Sequence, residues 1–266
     1  MKTTILLSSL FSLCCSAQVG LGLSPMRLDL SLQPGSSHSG ALDLTNEVGS
    51  TARVRGELLD FQIDETTTPQ FLRQIPGEAA NSCREWLTAN PMETEVTSSQ
   101  HLIVRFTIQV PKTATPRSYY CGIGYTTLPT AEKLKTTGFR SAVRIVAAIY
   151  VIVGTPKPEG EVSGLFYEPV PGSKDNMWRV VLVVRNRSDY HFRPSGTVEL
   201  LSGSGATMEL IQIPSFPTLP RREQRYVLPV TLPNPSDVRK LNAKVDLGNH
   251  EIQEASIDVA QLAALR

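Results

Sequence analysis

Four histidines, four cysteines and a scatter of carboxylates are the side chains with which this 266-residue chain could do chemistry, and their spacing argues against most of it. His38, His101, His191 and His250 show neither an HExxH pattern nor the paired spacing that holds zinc. Asp60, Asp64 and Glu65 fall across a turn without the spaced oxygen ligands of a calcium loop, and read as a solvated acidic turn. No serine sits in a Gly-x-Ser-x-Gly elbow and no glycine-rich phosphate loop is present. No catalytic residue, metal ligand or cofactor is therefore assigned, and the chain reads as non-enzymatic.

The cysteines point to a compartment. Lys2, the apolar stretch Ile5 to Cys15 and the small residues Ser16-Ala17 before Gln18 have the parts of a secretory signal, cleaved after Ala17. Leu13 before Cys14, and a second cysteine before Cys15, argue against a lipoprotein site. Removing residues 1–17 leaves Cys83 and Cys121, and takes one of the 26 basic residues, so 25 basic face 25 acidic. In an oxidising compartment the two cysteines are expected as a disulfide, with two separate buried thiols as the alternative. Closing such a loop stabilises a fold by about 4 kcal/mol in the chain-entropy model. The neutral balance without a Lys/Arg cluster excludes nucleic acid as an expected partner, and no second long apolar segment predicts membrane insertion of the mature chain.

The elements that must position these residues are strands. Ala142 to Val153 (AVRIVAAIYVIV) is an apolar run with Arg144 as its one charge. As a strand it places Val143, Ile145, Ala147, Ile149, Val151 and Val153 on one side and Ala142, Val146, Ala148, Tyr150 and Ile152 on the other. One face of a sandwich strand fills its core, so a second apolar face must meet another domain, a partner or a ligand. The run is too short for a membrane helix, which needs about 20 apolar residues.

Gly154 to Gly160 (GTPKPEG) follows as a linker, which predicts domains at 18–155 and 161–260. Alternating segments predict strands near 23–32, 40–45, 51–63, 102–110, 119–128 and 139–153, with a less regular crossing near 86–96. A second set is predicted near 161–167, 178–185, 191–201, 208–213, 224–232, 243–247 and 251–259. This pattern fits two immunoglobulin-like β-sandwiches in tandem. Leu42 to Asn46 leading into Val54 to Leu58 is echoed by Leu182 to Asn186 leading into Gly196 to Leu200: strand, Asn, turn, strand. Tyr119, two residues before Cys121, has the position of a tyrosine corner. Cys83 and Trp86 are too close together for the antibody arrangement, so the bridge is expected to tie the segment before Trp86 to the strand starting near Tyr119.

Leu23 to Leu30 (LSPMRLDL) with its Arg27, Leu42 to Asn46, and the long apolar strand Val143 to Val153 ended by Pro156 together resemble the first domain of PapD-like periplasmic pilus-assembly chaperones. The tracts PGSSHSGALDLTN, CREWL and SYYCGIGY, and in the second half NRSDYHFRPSGTVEL and Val245 to Gly248, resemble a broader set of exported PapD-like proteins. The resemblance implies two immunoglobulin-like domains in an L and a periplasmic protein binding a secreted or fimbrial subunit. Binding would proceed by strand addition through the last strand of the first domain. It implies Val143, Ile145, Ala147, Ile149 and Val151 as donor side chains, and Arg27 as one of two basic anchors for the subunit's terminal carboxylate. The second anchor, a lysine near position 150, is replaced by Tyr150 and Val151. The alternative is a structural or adhesive component of a surface fibre or envelope assembly.

Overall fold

A computed structural model describes residues 20–47, 50–64, 67–77, 79–128, 142–173, 177–248 and 252–259. The expected export signal and His250 lie outside the described residues. Strands dominate, as the alternation requires, and they form four sheets stacked in two sandwiches.

In the first sandwich β1 (Leu21–Ser24), β3 (Ser37–Asn46), β8 (His101–Gln109) and β6 (Leu87–Asn90) make one sheet in the order β1-β3-β8-β6. The facing sheet runs β2 (Arg27–Leu32), β10 (Arg144–Val153), β9 (Arg117–Leu128), β4 (Ala52–Ile63), β5 (Pro69–Leu72), with β7 (Glu93–Val96) also on β4. The segment expected as one strand over 23–32 is two. A cis Ser24–Pro25 bond separates β1, which pairs with β3, from β2, which runs parallel to β10. Proline lacks the N–H a continuing ladder would need, so the chain changes sheets there. The irregular crossing near 86–96 resolves into β6 and β7 about a cis Asn90–Pro91 bond. Strand β5 had no sequence signal of its own, being four residues that open on a proline.

Leu42, Leu44, Val104, Phe106 and Ile108 from one sheet meet Ile123, Tyr125, Ala147, Ile149 and Val151 from the other in the core. Cys83 is bonded to Cys121 with the Cα atoms 5.3 Å apart, tying a short 3-10 segment to β9 as expected. Tyr119 forms the tyrosine corner: its hydroxyl donates to the Thr115 carbonyl at 3.0 Å and accepts from the Thr115 amide.

The second sandwich stacks the sheet β11 (Gly160–Pro169), β12 (Trp178–Asn186), β15 (Glu223–Pro229) on β14 (Thr207–Gln212), β13 (Ser195–Leu201), β16 (Lys240–Asp246), β17 (Ile252–Asp258). Val180, Leu182, Val184 and Tyr226 pack there against Val198, Leu200, Leu241 and Val245. The fold class is thus all-β, two immunoglobulin-like sandwiches in series. The sequence echo has a physical basis. Asn46 and Asn186 end corresponding strands, both buried, and each amide donates to the carbonyl four residues on (Ser50, Tyr190) and to a distant one (Val96, Thr218).

Candidate functional site

The two faces of β10 have different fates. Val151, Ile149 and Ala147 are fully buried in the first core, and Ile145 and Val143 pack half-buried against its open end. Ala147, Ile149 and Val151, expected as donor side chains, instead fill this chain's own sandwich and are not free to fill a partner's, whereas Val143 and Ile145 keep part of their surface outside it. The outward set is Arg144, Val146, Ala148, Tyr150 and Ile152. Of these, Tyr150 is buried with Phe61, Tyr120 and Leu219, and Leu219 comes from the second sandwich. The second apolar face therefore meets the other sandwich over part of its length.

The edges of β10 differ too. Antiparallel pairing to β9 covers 144–153, whereas parallel pairing to β2 covers only 148–153. The odd-numbered residues carry the ladder to β9, with Thr127 N donating to Val143 O at 2.9 Å, while Ala148 N points the other way to Met26 O. By the same alternation the N–H and C=O of Arg144 and Val146 face the edge that β2 does not reach. Among the described residues no strand pairs with that stretch. Four residues of backbone are left as a template for another chain.

Arg27 stands where this open stretch meets the interdomain cleft, opposite Ala148, and Asp29 stands opposite Tyr150. Arg27 Nε donates to Asp29 Oδ2 at 2.9 Å, and both side chains are half exposed. A second arginine, Arg193 of the other sandwich, approaches the same carboxylate with Nη2 3.5 Å from Asp29 Oδ1. Its guanidinium lies 4.8 Å from the Tyr150 ring centroid, and its Nη2 is buried without a hydrogen bond. Asp29 thus lies between two guanidinium groups.

His191 closes the group from below. Its amide donates to Ser118 Oγ at 2.9 Å, and that hydroxyl lies 2.8 Å from Nδ1. The hydroxyl is placed to donate to Nδ1, leaving the ring proton on Nε2, 4.0 Å from Asp29 Oδ1. Burial pushes the His191 imidazole down to about 4; Arg193 adds to this and Asp29 opposes it. At neutral pH the cleft therefore holds two guanidinium groups, one carboxylate and a neutral imidazole. Its net positive charge suits an anion, and a carboxylate can bind a guanidinium bidentately.

Arg193 was not singled out from the sequence. In RNRSDYHFRPSG it is one arginine among three, and only packing brings it to Asp29. Asp60, considered as a calcium ligand, is buried and accepts from Ser82 Oγ at 2.6 Å and from the Ile75 amide, so it serves the loop beside the disulfide.

No family model matches the chain, and no curated protein matches it. Among solved structures, the E. coli chaperone DraB is similar over 89% of this chain and 97% of its own, at 14% identity and a TM-score of 0.45. A chain of the chaperone–tip subunit complex CsuC–CsuE of Acinetobacter baumannii is similar over 89% and 97%, at 12% identity and a TM-score of 0.43. A chain of the Salmonella enterica SafA pilin complex with the SafB chaperone is similar over 95% and 98%, at 12% identity and a TM-score of 0.42.

Proposed function

We propose that this chain is a non-catalytic, periplasmic chaperone-like protein that binds a secreted, pilin-like subunit by strand addition to β10. The observation that carries the reading is the open edge at 144–147 running directly into a cleft with two arginines. Backbone groups of Arg144 and Val146 would pair with an extended segment of the client, and a terminal carboxylate would lie on Arg27 and Arg193. Arg193 then takes the part of the absent lysine. Asp29 occupies the carboxylate position in the free protein and would be displaced. The unit limits 18–155 and 161–260, after loss of residues 1–17, belong to the same proposal, as does the absence of nucleic-acid or membrane partners.

A second reading, a structural or adhesive component, is favoured by one observation: Tyr150 is already buried against Leu219 and His191, with its ring 4.9 Å from the imidazole. That contact consumes part of the second apolar face without any client. Affinity capture with the mature protein from its own periplasm, beside Arg27→Ala and Arg193→Ala, separates the readings. The chaperone reading expects one small β-rich secreted subunit, with each variant recovering at most a tenth as much. Capture undiminished by either variant would remove the carboxylate anchor. Recovery of no subunit, with the protein itself located in surface fibres, would favour the structural reading.

A further inference from the structure

Two hydrogen-bond donors in the cleft converge on one oxygen, and neither reaches it. Arg193 Nη2 lies 3.5 Å from Asp29 Oδ1 and His191 Nε2 lies 4.0 Å from the same atom. The Asp29 carboxylate is held instead by its other oxygen, which accepts from Arg27 Nε at 2.9 Å. An N–H···O bond spans about 2.7–3.2 Å, so both donors stop short. Arg193 Nη2 is buried without a hydrogen bond, and His191, only 8% exposed, has no acceptor at Nε2 among the described residues. Buried donors are ordinarily satisfied, so two unused ones aimed at one point describe a seat for an acceptor.

The proton at Nε2 is fixed from the other side of the ring. Ser118 is fully buried, and its hydroxyl accepts from the His191 amide at 2.9 Å and lies 2.8 Å from Nδ1. Among the described residues the hydroxyl proton has no acceptor other than Nδ1, so the ring keeps its own proton on Nε2, the side of Asp29. Packing holds the ring in place. It lies against Tyr150 with the centroids 4.9 Å apart, and Phe192, next in the chain, is buried in the second core with its N and O bonded to Thr218. Tyr150 also carries the Arg193 guanidinium, 4.8 Å from its centroid, and stands opposite Asp29 in the β10–β2 register. One aromatic side chain of β10 thus steadies both donors beside the carboxylate.

We infer that His191 is a third ligand of the client's terminal carboxylate: one oxygen, seated about 1 Å deeper than Asp29 Oδ1, accepts from His191 Nε2–H and Arg193 Nη2, while the other stays with Arg27. The client's identity as a subunit with a free C-terminus rests on the chaperone reading; the seat itself does not. A neutral imidazole adds a donor without adding charge, so its contribution is directional. Both oxygens of a carboxylate accept, whereas a C-terminal amide turns an NH2 group toward donors on one side or the other. His191 therefore sharpens the preference for a carboxylate over an amide.

The test reads the histidine rings of the mature protein by nitrogen magnetic resonance at neutral pH, with the His191 signals identified by their loss in His191→Gln. The seat predicts a ring protonated at Nε2 alone. It predicts an Nε2–H signal that shifts on titration with sodium acetate or with a peptide ending in a free carboxylate, and that sodium chloride at the same ionic strength leaves unmoved. By isothermal titration, His191→Phe, which keeps a ring on Tyr150 and loses the donor, should bind the carboxylate peptide about tenfold more weakly and its C-terminal amide equally well. His191→Gln, which presents an N–H near the same place, should stay within about threefold of the wild type. A ring protonated at Nδ1, an Nε2–H unmoved by acetate and peptide alike, or a folded His191→Phe with the wild-type preference for the carboxylate would overturn the inference. The wild-type spectra decide it even where a variant fails to fold. An acetate-dependent shift in a protein that captures no subunit would remove the chaperone reading and keep the seat; Arg27-dependent subunit capture with Nε2–H unmoved would do the reverse.

Discussion

Asp29 is the residue on which the cleft turns, because it neutralises part of the charge that a carboxylate ligand would seek. Replacing it with Asn keeps the size and removes the charge, leaving Arg27 and Arg193 facing an amide. Asp29→Asn should tighten binding of a peptide bearing a free C-terminal carboxylate by about tenfold, the effect of one charge at this range in a half-exposed site. Isothermal titration with that peptide and its C-terminal amide measures this; equal affinity for the two would show that the cleft does not read the carboxylate. His191 makes a second prediction from the same cluster. Its folded value near 4 lies below an ordinary 6.5, so between these values the unfolded chain takes up a proton that the folded one refuses. Stability is fully present above pH 6.5 and falls as pH drops through about 4, by on the order of 3 kcal/mol. Urea unfolding at pH 7 and pH 4.5 should show His191→Gln losing less stability over that interval than the wild type, after both have lost what their carboxylates cost. Equal losses would mean that the imidazole titrates freely.

Strand β10 shows what periodicity can and cannot say. That both faces were apolar was plain in AVRIVAAIYVIV, and so was the need for a second contact. Which face filled the core was not, because Val, Ile and Ala appear on both. The structure decides it through register: Ile149 stands opposite Cys121, whose disulfide lies inside the sandwich, so the odd-numbered residues are internal and the even ones external. Ile149→Asp should therefore unfold the first sandwich, since an unpaired buried charge costs several kcal/mol. Circular dichroism and the loss of a cooperative thermal transition would show it; a folded Ile149→Asp would return that face to the surface. The open edge has its own signature. Amides of Arg144 and Val146 should exchange with water at least about tenfold faster than those of Ile145 and Ala147 in the same strand, because only the latter are in the ladder. Matching rates along the strand would mean that the edge is paired.

At the scale of the molecule, the strands and the tandem sandwiches were legible because alternation, turn residues and the Asn-ended strands repeat in both halves. The disulfide was legible because Cys83 and Cys121 are the two cysteines left once the expected signal is removed, and the tyrosine corner because it rests on identity and spacing within one segment. The cleft was not, because it is made where the sandwiches meet: Arg193 and His191 lie more than 160 positions from Arg27 and Asp29. Strand β5 was missed because four residues opening on proline carry no period. Its position follows from Gly122, which makes room on β9 for the Phe71 ring.

The central claim is that a partner strand adds to the 144–147 edge, and the most direct measurement is subunit capture by a Val146→Pro variant beside the wild type. Proline at 146 removes an N–H that faces the open edge and no bond to β9, so the sandwich stays intact while the template is interrupted. The account predicts a thermal transition within a few degrees of the wild type and at least about a tenfold loss of captured subunit. Capture at the wild-type level by a folded Val146→Pro protein would contradict strand addition at this edge.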